Sequence, residues 1–240
     1  MRIRTWFLVY FVLPAAAGYS QAKVVDVGKE NVQISSLLFY SVGGEPVSRA
    51  KYVRVVAGTP YFSEHFMKGK LAMGDGRMYD SLQLKLDMVD HTLLFIGKDG
   101  SELVATTSVK GVTLTDSLTG RQHHFIHSSY LPLAKNMDKG WYEILASGHA
   151  ILYKYIRKEI KENKPYGSAT TEQTIEHTGE YYVFHQNNFR RVKKIKELPE
   201  ILAGKKEELS NYAGQKKWTG KSDEDYAELV TFFNKLIETD

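Results

Sequence analysis

The chain contains no cysteine. That excludes disulfides, zinc–thiolate centres, iron–sulfur clusters, thiol nucleophiles and a lipid anchor on an N-terminal cysteine. Beyond the first residues, no run is long and apolar enough to span a bilayer, so an integral membrane protein is not expected. Charge of one sign is not in excess: the formal net charge is +4, with Arg2 and Arg4 contributing two of the positive charges at the extreme N-terminus. So weak a balance gives no footing for nucleic-acid binding. Internal repeats and low-complexity tracts are missing. With 42% hydrophobic and 25% charged residues, the composition is that of an ordinary globular chain.

The first 22 residues read as a secretory signal peptide. Arg2 and Arg4 form a positive n-region, and Trp6 to Leu13 is an apolar stretch too short to cross a bilayer. Pro14 breaks it, and Ser20-Gln21-Ala22 places small residues where a signal peptidase reads; Ala15-Ala16-Ala17 is a second cleavage candidate. The segment predicts export to the periplasm or beyond, without a lipid anchor. An exported chain of this size without disulfides fits a bacterial periplasm better than a eukaryotic exterior.

Residues 23–196 read as a β-rich body. Short strands are expected at Val32–Phe39, Lys51–Ala57, His65–Met73, Leu82–Met88, Thr92–Ile96, Leu103–Thr106, Val109–Leu114 and His123–Ile126. Alternation is clearest where Leu82, Leu84, Leu86 and Met88 share one face and polar residues the other. Turn signals fall at Gly43-Gly44, Gly74-Asp75-Gly76, Lys98-Asp99-Gly100 and Thr119-Gly120. Trp141 to Tyr155 reads as a strand pair turning at Gly148-His149, with a helix as the competing reading. Residues 156–180 are polar, carry Pro165 and Gly167, and read as a loop or mobile hairpin tip. Tyr181 to His185 and Phe189 to Lys194 follow as strands around an Asn187-Asn188 turn.

Residues 197–240 change period. Leu198, Ile201, Leu202, Leu209 and Tyr212 recur at helical spacing, as do Tyr226, Leu229, Val230, Phe233 and Leu236. Gly214 is the expected stop of the first helix, and Ser222 with Asp225 the capping start of the second. Neither helix can hide its apolar face alone, so the pair should pack together or on the sheet. The fold class expected is α+β, mainly β: a curved antiparallel sheet or half-barrel with two C-terminal helices.

Several segments resemble a group of uncharacterised exported proteins of Bacteroidetes-type bacteria. They are Tyr181-Tyr182-Val183, Arg191-Val192-Lys193-Lys194-Ile195, Lys205-Lys206-Glu207-Glu208-Leu209, Lys217-Trp218 and Leu229 to Leu236. Gly58-Thr59-Pro60-Tyr61-Phe62 and Gly69-Lys70-Leu71 add to the likeness. The resemblance implies a bacterial envelope setting and a β-rich body with a helical tail. It carries no activity and no site.

Motifs for chemistry are sparse. His123, His124 and His127 lie within one short run, but on a strand His124 faces away from the other two and no adjacent acid completes a set. They read as solvent-facing strand residues, and neither metal nor cofactor is called for. Gly214 to Ser222 ends in Gly-Lys-Ser like a phosphate loop, yet its spacing is one residue too long and it joins two helices. A G-x-S-x-G elbow, an S-x-x-K pair and an H-E-x-x-H motif are all missing, so no residue takes a catalytic label. The basic strand Arg190 to Lys196 reads as a guarded sheet edge.

Aromatic residues are what the chain has in plenty, including 15 tyrosines and 11 phenylalanines. Tyr61, Phe62 and Phe66 cluster, as do Tyr181, Tyr182 and Phe184. Strand cores consume aromatics, but on a concave sheet these six could line a ligand groove. The expectation is a non-catalytic, exported bacterial envelope protein that binds a protein partner or an apolar small molecule. The alternative is a periplasmic hydrolase whose site assembles from distant residues.

Overall fold

The computed structural model describes residues 24–26, 45–46, 53–132, 137–216, 218 and 220–239. The signal-peptide reading, the Val32–Phe39 strand and the Gly43-Gly44 turn lie outside these residues. The strands are β1 (Val24–Asp26), β2 (Glu45–Pro46), β3 (Val53–Ala57), β4 (Met67–Met73), β5 (Met78–Leu86), β6 (Leu93–Ile96) and β7 (Glu102–Val104). They continue with β8 (Val109–Thr115), β9 (Gln122–His127), β10 (Trp141–Ala146), β11 (Ala150–Asn163), β12 (Thr171–His185) and β13 (Asn188–Val192). All join one open, curved sheet in the order β13-β12-β11-β10-β9-β8-β4-β5-β6-β7-β2. The fold is α+β and mainly β.

The sheet is not wholly antiparallel. β1 pairs β5 in parallel, and β3 pairs β12 in parallel. Each therefore shares one edge of its host strand with a second neighbour: β5 takes β6 further along, and β12 takes β13.

Cross-strand partners share a face, so the register sorts the side chains. Leu71, Val112 and Phe125 lie in one such row, and with Leu82, Leu84, Leu86, Met88 and Trp141 they build a core at one end of the sheet. The expected Leu82–Met88 face is buried throughout. Its opposite face is not simply wet. Lys85 and Asp87 are also buried, at 8% exposure each. The Lys85 ammonium lies 4.7 Å from the Tyr61 ring centroid and 4.3 Å from that of Phe66, a cation–π sandwich that tolerates its burial. Asp87 Oδ1 accepts the backbone N–H groups of Val89 and Asp90, which turns the chain toward β6.

The segment 156–180 is mostly strand, not loop. β11 runs to Asn163 and β12 starts at Thr171, leaving only a short connection around Pro165 and Gly167. The polarity that suggested a loop belongs to a largely polar ribbon of β11 and β12, joined by β3 along Thr171–Thr174. Lys161 faces Glu176 at 2.6 Å, and Gln173 donates to Glu162 at 2.8 Å. The turn between β12 and β13 falls one residue earlier than expected, at Gln186 and Asn187. Both have positive φ, as a two-residue hairpin turn of this hand requires.

Three helices, not two, follow the sheet: α1 (Leu198–Ile201), α2 (Lys206–Lys216) and α3 (Asp223–Glu238). The first expected helix is split because Leu202 leaves helical geometry and Gly204 takes φ +100°. Gly214 does not stop α2, which continues to Lys216. Leu198, Leu202, Leu209, Tyr226, Leu229, Val230 and Phe233 pack over Ala150, Leu152 and Val183 of the sheet, forming a second core on the same face as the first. On the opposite face, Tyr142, Tyr153, Tyr155 and Tyr182 form a third cluster with Phe184 and Phe189 against it.

Candidate functional site

Between the two cores of the helix-bearing face lies a polar seam. Alternation along β11 points Lys154, Ile156 and Lys158 to this face, and along β12 it points Ile175, His177 and Tyr181 the same way. Register sets Lys154 opposite Tyr181, Ile156 opposite Gly179 and Lys158 opposite His177. These residues floor a cleft of 840 Å³. The segment after β3, through Gly58, Thr59 and Phe62, forms one wall; Gly220 to Asp223, leading into α3, forms the other.

Each wall is tied to the floor. Lys158 Nζ donates to the carbonyls of Thr59 at 2.8 Å and Tyr61 at 2.5 Å, which straps the crossing segment to β11. Burial pushes this lysine below its ordinary range, with Glu64 and Asp87 opposing. On the other side Lys154 Nζ meets Asp223 Oδ2 at 2.6 Å, and the Tyr181 hydroxyl donates to Asp223 Oδ1 at 2.5 Å. Burial alone would raise the Asp223 carboxyl, but the bonds from Lys154 and Tyr181 leave it below the usual aspartate value. Tyr181 is pushed well up, by burial first and by Asp223 second. Its ring stacks on Tyr226 of α3 at 4.0 Å.

Behind Phe62 sits a second polar pair. His123 Nδ1 and Glu143 Oε1 are 2.7 Å apart, with Glu143 5% exposed. Glu143 is the direct cross-strand neighbour of Lys154, so the two pairs lie side by side on the sheet. The Phe62 ring meets His123 edge-on at 4.9 Å. His123 is therefore not the solvent-facing residue expected: Glu143, distant in sequence, reaches it through the β9–β10 register. His127 packs edge-on against Trp141, and only His124 of the three is exposed, bonded to Thr113. Among the described residues, no group of three or more His, Asp and Glu side chains is arranged to hold a metal ion.

The six aromatics singled out from the sequence are placed in three settings. Phe62 lines the cleft from a wall and Tyr181 from its floor. Tyr61 and Phe66 sandwich Lys85. Tyr182 and Phe184 lie on the other face of β12, in the tyrosine cluster, where the Tyr182 hydroxyl donates to Glu180. Period two along β12 makes this separation unavoidable, since Tyr181 and Tyr182 must point to opposite faces.

Sequence reasoning missed Lys154, Lys158, His177 and Asp223. The alternation Lys154-Ile156-Lys158 was a usable signal, but half of it fell in the stretch read as a loop. Asp223 carried no signal beyond helix capping, because its sheet partners are remote in sequence. The lining holds Lys154, Lys158 and Lys221 against one carboxylate, Asp223, to which Lys154 is bonded. Ser222 Oγ is committed to the backbone N–H of Asp225 as the cap of α3. Among the described residues, no helix is long and apolar enough to cross a membrane. Compared with known proteins, the chain matches no family model, no curated protein and no solved structure.

Proposed function

We propose that this is an exported, non-catalytic bacterial envelope protein that binds a ligand in the cleft between β11, β12 and the start of α3. The observation that carries the reading is the 840 Å³ cleft with Phe62, Tyr181 and three lysines in its lining. The volume lies within the range of small-molecule sites. The lysines outnumber the single aspartate, so the ligand that fits is not purely apolar: it carries a carboxylate, phosphate or sulfate alongside an apolar or planar part. The signal-peptide pattern of residues 1–22 and the resemblance to exported proteins support the envelope setting.

Native mass spectrometry of the mature chain purified from a bacterial periplasm, followed by extraction of what is bound, tests this. An acidic ligand is expected, its retention weakened several-fold in Lys221→Glu. A purely apolar, uncharged ligand retained equally by both proteins would overturn the anionic reading. A clean apo mass from both, together with no response to added citrate, would overturn the cleft as a site.

A further inference from the structure

We infer that the cleft is entered by an extended, acidic segment of a partner polypeptide, which adds as a strand to the open edge of β12 between β3 and β13. This rests on the reading of the cleft as an anion-binding site, and it specifies the ligand. The outer edge of β12 is used twice. β3 occupies it as far as Thr174, and β13 occupies it from Tyr181 onward. Ile175 is buried, with Gly58 against its carbonyl, but residues 176–180 have no strand partner on that side among the described residues, and residues 176–179 are exposed. The gap spans roughly 17 Å at the usual rise per residue, room for a segment of about five residues.

An edge flanked on both sides by paired strands has its twist and spacing already set, so an incoming strand meets a preformed template. Main-chain groups left unpaired along such an edge recruit extended chains readily. The cleft and the gap are continuous, because His177 and Gly179 belong to both. Alternate side chains of an added strand would therefore stand at the cleft mouth, beside Lys154, Lys158 and Lys221. The other alternate set would lie over Glu180, which Arg191 already neutralises at 3.0 Å and Arg157 approaches at 3.5 Å. The segment that fits is acidic at every second position on the cleft side and uncharged on the other.

The test uses the mature full chain and a short capped peptide of alternating aspartate and valine. Its controls are the same peptide with alternate backbone amides N-methylated, a peptide with asparagine in place of aspartate, and citrate. Binding is followed by calorimetry, and amide hydrogen exchange is followed at residues 176–180. The expected result is binding of the first peptide, with the N-methylated form about tenfold weaker or worse, because it cannot donate to the β12 edge. The asparagine form is expected several-fold weaker, and exchange slows at 176–180 with the first peptide only. Equal binding of the native and N-methylated peptides, or binding of citrate but neither peptide, would overturn strand addition while the anionic cleft stands. Equal binding of the aspartate and asparagine peptides would overturn the acidic requirement. No binding of any probe would remove both readings. Concentration-dependent dimerisation that itself protects 176–180 would overturn the partner segment in favour of a second copy.

Discussion

Asn234 shows how one polar side chain can join helix to sheet. It is 5% exposed on an otherwise apolar stripe of α3. Its Oδ1 accepts from the Ala150 N–H at 2.7 Å, and its Nδ2 donates to the Ala150 carbonyl at 2.9 Å. Both main-chain groups of Ala150, at the start of β11, are thus satisfied by the helix. Gly148 makes room for this: a Cβ there would lie 2.6 Å from the Asn234 side chain, and φ at Gly148 is +155°. Replacing Asn234 with leucine keeps the bulk but strands two buried backbone groups. The expected loss is about 3 kcal/mol of unfolding free energy, given the usual cost of an unsatisfied buried donor or acceptor. Chemical denaturation would measure it, and a loss below about 1 kcal/mol would show the contact to be incidental. Nothing in the sequence marked Asn234, since a lone asparagine in a helix ordinarily points to water.

Among the elements, α3 was the most legible. Of its expected apolar positions Tyr226, Leu229, Val230 and Phe233 are buried and Leu236 is half-buried, and its start was readable from Ser222 and Asp225. The Ser222 hydroxyl accepts the Asp225 N–H at 3.2 Å, and Asp225 returns a bond to the Gly220 N–H at 3.0 Å. Ser222→Ala should cost about 1 kcal/mol and lower the melting temperature by a few degrees. Ser222→Asp should retain most of that stability, and equal loss in both would mean the cap does not matter. The β11–β12 ribbon was the least legible element. Its outer half has little apolar content, because no helix or second sheet packs on it among the described residues and only the short segment after β3 covers Ile175. The pairing of Ile160 with Ile175, the facing charges and the parallel pairing with β3 hold the register. Such a strand has no hydrophobic period to read, and its Pro165 and Gly167 pull the reading toward a loop. α2 was misjudged for a related reason: a single periodic pattern spanned α1 and α2, and periodicity does not report the one residue at Leu202 where the chain turns out of the helix.

At the scale of the whole molecule, ionisable groups beside the first core and in the polar seam couple stability to pH. His91 and His127 flank Trp141, whose indole N–H donates to the His91 carbonyl at 3.2 Å. Burial lowers the pKa of both histidines below 6.5; Asp87, Asp90 and Asp138 oppose this at His91, while His91 adds to it at His127. The folded state thus binds protons less readily than the unfolded chain. Their contribution is fully present above pH 6.5 and is lost as pH falls toward the lower folded values. Asp223 acts later in the same direction, its stabilisation draining away only below about its ordinary value of 3.8. Thermal unfolding should therefore show a fall in melting temperature between about pH 7 and pH 5, and a second fall below about pH 4. In His91→Asn, which suits the φ of +57° at that position, the first fall should shrink. A melting temperature flat from pH 7 to pH 5 in the native chain would contradict the linkage.

By itself the sequence determined the β-rich class, most strand positions in residues 53–155, the helical tail and the exclusion of thiol chemistry. These rest on local properties, namely period, turn residues and the lack of cysteine, which neighbours along the chain suffice to specify. Only the tertiary structure decided the two parallel pairings, the split helix, the burial of Lys85 and Glu143, and the cleft. Each of those depends on register between segments far apart in the chain. Lys154 meets Asp223 across 69 positions and Lys158 meets Thr59 across 99. The six aromatics make the same point from one residue type: the sequence could show that they cluster, but only the pleat and the order of strands could send Phe62 and Tyr181 to one cleft and Tyr182 to the opposite face.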